Sequence, residues 1–267
     1  MTDPTLQVGY AEEASKFLER NRGVERLYEQ AMALAALIYG ENNNYSLPAH
    51  GIVIFGLLAT SYEIFLEIFY LAANGFGRGA QARLRTMYEH VAVAAFLNQH
   101  PEQAERFIRF QVVEHRKELL RAKEVLTNEQ FLGKVKVRLA QLESQLSGIK
   151  DQYGKRFARS WHEGMAAIAE DLGWERYFFY NYLIPNRHVH ASPLSLERRV
   201  SEEDRMYFEG APDCDAADEG VRGGLTMLGM SFAVAKEIGL PIPEMQLTSF
   251  AHLLVQHYQE RPNKTAL

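Results

Sequence analysis

Cysteine is almost missing from this sequence: Cys214 is the single thiol among 267 residues. No intrachain disulfide can form and no thiolate metal cluster can be built from this chain alone, so a reducing cytoplasm is the expected setting. Strand signal is missing as well. No stretch alternates apolar and polar residues with a period of two, and no internal repeat appears. The opening MTDPTLQVGYAEEASK has no basic start followed by an apolar run, and no Gly follows Met1, so neither export nor myristoylation is expected. GFGRG at 75–79 lacks the preceding strand and the later acidic ribose partner of a dinucleotide site, and no Lys-Ser/Thr pair follows it. It reads as a turn between helices.

Charge is scarce in one sign only locally. The net charge of −5 argues against indiscriminate wrapping of nucleic acid. Residues 101–160, however, hold 13 Lys and Arg against 8 acids, while the remainder is acidic. The basic middle helices are therefore the expected place for RNA or another anionic ligand, set against the plainer view that they show ordinary wet faces. The segment 201–219, with eight acids and one base, reads as an exposed loop that interrupts a domain rather than joining two. One domain spanning 1–267 is the expectation.

What is present is helical periodicity, almost end to end. Phe17, Leu18, Leu27, Tyr28, Met32, Leu34, Ala35 and Ile38 recur at three-to-four spacing over residues 9–39, with Gly23 as a break point and Gly40 as a stop. Bundle helices follow over 50–190 and C-terminal helices over 220–260, where Pro243 starts the last one. Thr127 or Asn128 suits the cap of the helix running to about 150. The fold class is all-α, a bundle of about seven to nine helices. The run 51–73 is long enough for a membrane span, but Glu63 and Glu67 make a buried core helix the better reading, without stable membrane insertion.

Charges inside the apolar helices carry the functional question. In helix 80–98, Leu84, Met87, Tyr88, Val91 and Ala95 form the main apolar stripe, and Arg85 and Glu89 lie four apart, one position round from it. Their row turns apolar further on, which places them at the margin of the core. Glu63 and Glu67, four apart on the most apolar helix, need cationic partners if buried. Arg83, Arg85 or the cations of LIPNRHVHASP (183–193) are the candidates. Such an arrangement is either a salt-bridge layer that fixes helix register or a polar pocket at the centre of the bundle.

LIPNRHVHASP places Asn186, Arg187, His188 and His190 between two prolines. Pro185 removes a helical N–H and disfavours helix at Ile184, so the aromatic helix before it is expected to kink or end near Leu183. Asn186 and His190 share a face if the following turn is helical, and His188 then points away.

The strings ARLRTMYEHVAVAAFLNQHPEQAERFIRF (82–110) and NYLIPNRHVHASPLSL (181–196) resemble an uncharacterised family of helical bacterial proteins. That family has an Arg-x-x-x-Glu helix running into Pro-Glu and a later Ser-x-x-x-His segment. The resemblance spans about 50 to 240 and falls on Arg85, Glu89, Pro101, Glu102 and His190, with Asn186 in place of the usual Ser. It implies a helical fold and carries no activity. A more distant similarity is to HEPN helical domains, many of them metal-independent ribonucleases, although Arg187 precedes His190 by fewer positions than their motif has.

Three functions follow as expectations. A metal-independent endoribonuclease would use His190 and His188 as base and acid, Arg187 as phosphate clamp and Glu89 to orient an imidazole, with Arg85 and Asn186 completing the site. No cofactor is called for. A divalent-metal enzyme would draw on His188, His190 and Glu63, Glu67 or Glu89, without an HExxH pattern in support. A non-catalytic interaction or sensor module would leave the cluster structural and act by exposing an apolar groove or by forming a homodimer through the late helix GGLTMLGMSF. Met227, Met230 and Phe232 of that helix read first as core.

Overall fold

The computed structural model describes residue 10 and residues 12–40, 44–189 and 213–259. Among these residues every regular element is helical. Ten helices follow in order: α1 Glu13–Arg20, α2 Val24–Tyr39, α3 Ala49–Ala73, α4 Gly77–Gln99, α5 Gln103–Val125, α6 Glu129–Tyr153, α7 Met165–Asp171, α8, α9 Cys214–Glu237 and α10 Glu244–Gln259. Helix α8 opens as Glu175–Phe178, passes through a π-helical turn at Phe179–Leu183 and ends as Ile184–Asn186. The expected seven to nine was low because residues 9–39 form two helices. Gly23, at φ 86°, separates them in a conformation only glycine takes cheaply.

Helices α3, α4 and α9 pack on one another and form the centre. The seven residues Val91–Leu97 of α4 are all buried, so this part of the helix is enclosed on every side. Its neighbours come close because α9 offers glycine: a Cβ at Gly220 would stand 3.0 Å from Ala80 Cβ, and one at Gly223 would stand 2.4 Å from Leu84 Cδ2. The small residues of GGLTMLGMSF are thus consumed by contacts inside the chain. Met227 and Phe232 are core, as expected, and Met230 is half-buried.

Three expectations change here. Helix α3 buries Ile54, Leu58, Ile64, Phe65 and Ile68 but exposes Ile52 and Tyr70, so it is a core helix on one face only. It is the one helix among the described residues long and apolar enough to cross a membrane. Glu63 and Glu67 lie on its exposed face, and Glu67 pairs with Arg83 at the surface. No buried carboxylate needs rescue there. The acidic stretch 201–219 is also not loop to its end, since Asp213 accepts a hydrogen bond from the Ala216 N–H and caps a helix that begins at Cys214. Residues 201–212 lie outside the described residues.

A buried carboxylate does occur, at Glu13. Arg20 Nη2 donates to Glu13 Oε1 at 2.8 Å and Arg20 Nε lies 3.6 Å from Asp218 Oδ2, while Asn21 Nδ2 donates to Asp218 Oδ1 at 2.6 Å. This cluster ties α1 to the first turns of α9. Burial pushes the Cys214 thiol up, with Glu13 adding to the effect against Arg20, so the thiol stays protonated. Glu13 is only 4% exposed at its side chain, so Arg20→Met strands a desolvated charge. The expected cost is about 2 kcal/mol in urea unfolding at neutral pH.

Helices α5 and α6 pair with each other around Phe110, Val113, Leu146, Ile149 and Phe157. Asn128 caps α6 by accepting from the N–H groups of Gln130 and Phe131. Where α4 ends, His100 Nε2 stands 2.8 Å from Asp171 Oδ2, and Phe96 lies 4.6 Å from the His100 ring and 4.7 Å from the His162 ring. Burial holds the His162 imidazole below its usual range, with Arg106 adding to it against Glu163 and Asp171. The unfolded chain therefore takes up this proton first, and the stability is present above about pH 6.5 and lost as pH falls through the folded value. His162→Gln should flatten the fall in melting temperature between about pH 7 and pH 5 relative to the parent chain.

Candidate functional site

Helical spacing puts Arg85 and Glu89 on one row of α4, and the row faces α8. Arg85 Nη2 lies 3.1 Å from Glu89 Oε1 and donates to Tyr182 Oη at 2.9 Å, while the guanidinium carbon sits 4.6 Å from the Tyr182 ring centre. The two α4 side chains are 22% and 32% exposed. They occupy the margin of the core and can meet solvent. Burial pushes the Tyr182 hydroxyl up, Glu89 adds to the shift, and Arg85 opposes it. The phenol therefore stays protonated, and Glu89 takes its hydrogen bond.

Helix α8 presents Tyr182 through an irregular turn. The Ile184 N–H reaches Phe179 O, five residues back, so the backbone is widened just ahead of Pro185. A proline at that place would collide with the carbonyl four residues earlier in a regular helix, and widening the turn relieves the collision. This is why the helix does not end at Leu183: Ile184 keeps helical angles (φ −64°, ψ −52°) and the helix runs on to Asn186. Phe178 and Tyr182 stack at 5.0 Å, with Tyr88 of α4 at 5.8 Å from Tyr182. Asn181 is buried against Gly223, where an added Cβ would lie 2.8 Å from its Oδ1.

The final residues of α8 also pack on α4. Asn186 Oδ1 is buried there without a hydrogen-bond partner among the described residues. Such an atom usually marks a place that water or a ligand completes. Arg187 is exposed and His188 half-buried in the turn that follows. His190 lies outside the described residues.

The structure thus brings together Arg85, Glu89 and Tyr182, and sets Asn186 on the same helix pair. Glu89 faces Arg85 and Tyr182 rather than an imidazole of the described residues. Tyr182 is the participant the sequence reading passed over. Its signal was available, since it stands four residues before Asn186 and so shares its face. Among the described residues no group of three His, Cys, Asp or Glu side chains is placed to hold a metal ion. Glu63 and Glu67 point away on the exposed face of α3.

Comparison with protein families finds one described as a family of unknown function, DUF5677, whose model matches residues 51–207. The matched span takes in α3 from its third residue and all of α4 through α8, and with them every residue of the junction. Comparisons with curated proteins and with solved structures return no match.

Proposed function

The chain belongs to this family of unknown function, and from its own geometry we propose that the α4–α8 junction is a metal-independent phosphodiester site of the ribonuclease type. The observation that supports it is Arg85: a half-buried guanidinium oriented by Glu89 and by Tyr182 of α8, the helix that also carries the unsatisfied Asn186 oxygen and leads in sequence to His188 and His190. Arg85 and Arg187 supply positive charge for phosphate oxygens. Tyr182 and Glu89 position Arg85. His190 takes the proton of the ribose 2′-hydroxyl, the freed oxygen attacks phosphorus, and the 5′-oxygen leaves with a proton from His188, giving a cyclic phosphate and a 5′-hydroxyl end. The chemistry parallels that of HEPN ribonucleases; that likeness belongs to this proposal alone.

A second reading has its own support. Arg85 already has two partners and an aromatic face, which is what a register-fixing ion pair needs. On that reading the protein is a non-catalytic interaction module. Incubation of the purified chain with labelled RNA, in chelator, separates the two: cleavage that disappears in His190→Ala supports the site, and intact RNA supports the scaffold.

A further inference from the structure

We infer that the outward face of α8 is a platform for the unpaired bases of a single-stranded polynucleotide, making single-stranded rather than duplex RNA the substrate class of the junction. The inference rests on the phosphodiester reading above. It begins with burial. On the one short helix whose inner side supplies Tyr182 and Asn186, the outer side exposes Phe179 by 45%, Tyr180 by 51% and Leu183 by 44%. Large apolar groups gathered on a surface in this way mark a binding face.

Helical steps of four, three and four lead from Arg176 to Tyr180, Leu183 and Arg187, with Phe179 beside them. The row is a cation, an aromatic ring, an aliphatic chain and a cation. The Arg176 guanidinium stands 6.0 Å from the Tyr180 ring centre, and the Phe179 and Tyr180 rings meet edge to face at 5.2 Å. Neither arginine is in an ion pair among the described residues, and Glu175 is the one acid between residues 174 and 189.

This chemistry selects its occupant. Unpaired bases stack on tyrosine and phenylalanine whatever their sequence, and the flanking phosphates answer the arginines. A duplex keeps its bases stacked inside and gives the rings nothing to hold. A second copy docked by two-fold symmetry would lay the row antiparallel on itself and set Arg176 against Arg187, like charge on like.

The test uses the full chain and a short fluorescein-labelled oligouridylate read by fluorescence anisotropy, beside the same strand annealed to its complement. The single strand should bind more tightly. Phe179→Ser combined with Tyr180→Ser should weaken it by about tenfold or more, because each lost stacking contact is worth that much. Tyr180→Phe should keep the affinity, and Arg176→Gln with Arg187→Gln should lower the dependence of binding on salt. The proposal is overturned if duplex binds as well as single strand. It is equally overturned if the serine variant, shown folded by its melting curve, binds like the parent, or if its one change is that a dimer becomes a monomer. Binding without cleavage would remove the proposed chemistry and leave the platform standing; cleavage with an unaltered KM in the serine variant would do the reverse.

Discussion

Gly77→Ala should lower the melting temperature of this protein by roughly 6–12 °C, the largest stability effect expected of a single methyl group here. Gly77 opens α4 directly beneath the first turn of α9. A Cβ there would stand 2.2 Å from the Asp213 carbonyl oxygen and 2.5 Å from the Ala217 nitrogen. Both obstacles are backbone, so no side chain can swing aside, and α9 must lift from α4. Overpacking costs about 1–3 kcal/mol where side chains yield. With backbone in the way the upper end applies, about 3 kcal/mol, and heat denaturation followed by circular dichroism measures it. Gly79→Ala is the control. Its Cβ would meet the Leu71 side chain at 3.5 Å, an ordinary contact, and it should change the melting temperature little.

Gly77 also shows where a sequence stops informing. GFGRG was read as a turn between helices, and it is one only as far as Phe76, because Gly77–Gly79 already form the first turn of α4; nothing local tells which of its glycines a distant helix will press against. The same division runs through the molecule. Periodicity located the helices, Gly23 announced the break between α1 and α2, and the four-residue step from Arg85 to Glu89 placed both at the edge of the core. These are properties of one helix at a time. The Glu13, Arg20 and Asp218 cluster joins residues about two hundred positions apart, and no spacing rule reaches that far. Arg83 was rightly among the partners named for Glu63 and Glu67, since it pairs with Glu67, but the burial of these two carboxylates was misjudged because α3 is apolar on nearly every side, so composition does not say which side the bundle covers. Pro185 did signal the irregular turn that closes at Leu183, but the helix passes through it rather than ending, because the widened turn upstream removes the clash described for regular helices. Asp213 followed by small residues did carry the cap signal for α9. The density of neighbouring acids masked it.

The largest functional effect is expected at His190. A general base or acid contributes about 10²–10⁴-fold to such a reaction, so His190→Ala should reduce cleavage by that factor, or about 3–5 kcal/mol in the barrier. Arg85→Gln should fall in the same direction for a different reason: it removes charge from the phosphate and frees Glu89 and Tyr182 from their partner. Arg85→Lys keeps the charge but loses the fork that reaches Glu89 and Tyr182 together, and intermediate activity is expected. Tyr182→Phe distinguishes positioning from chemistry, because the ring still covers the guanidinium while the hydroxyl is gone. It should depress the rate less than Arg85→Gln and shift neither the preference for single strands nor the melting temperature by much.

These comparisons reduce to one measurement: the rate at which the purified parent chain cleaves end-labelled single-stranded RNA in the presence of chelator, against His190→Ala and Arg85→Gln prepared identically and shown to be folded. The junction described here predicts cleavage that survives the chelator, leaves a cyclic phosphate, and drops by at least about 10² in both variants. RNA left intact by the parent chain, or cut equally well by both variants, would contradict it.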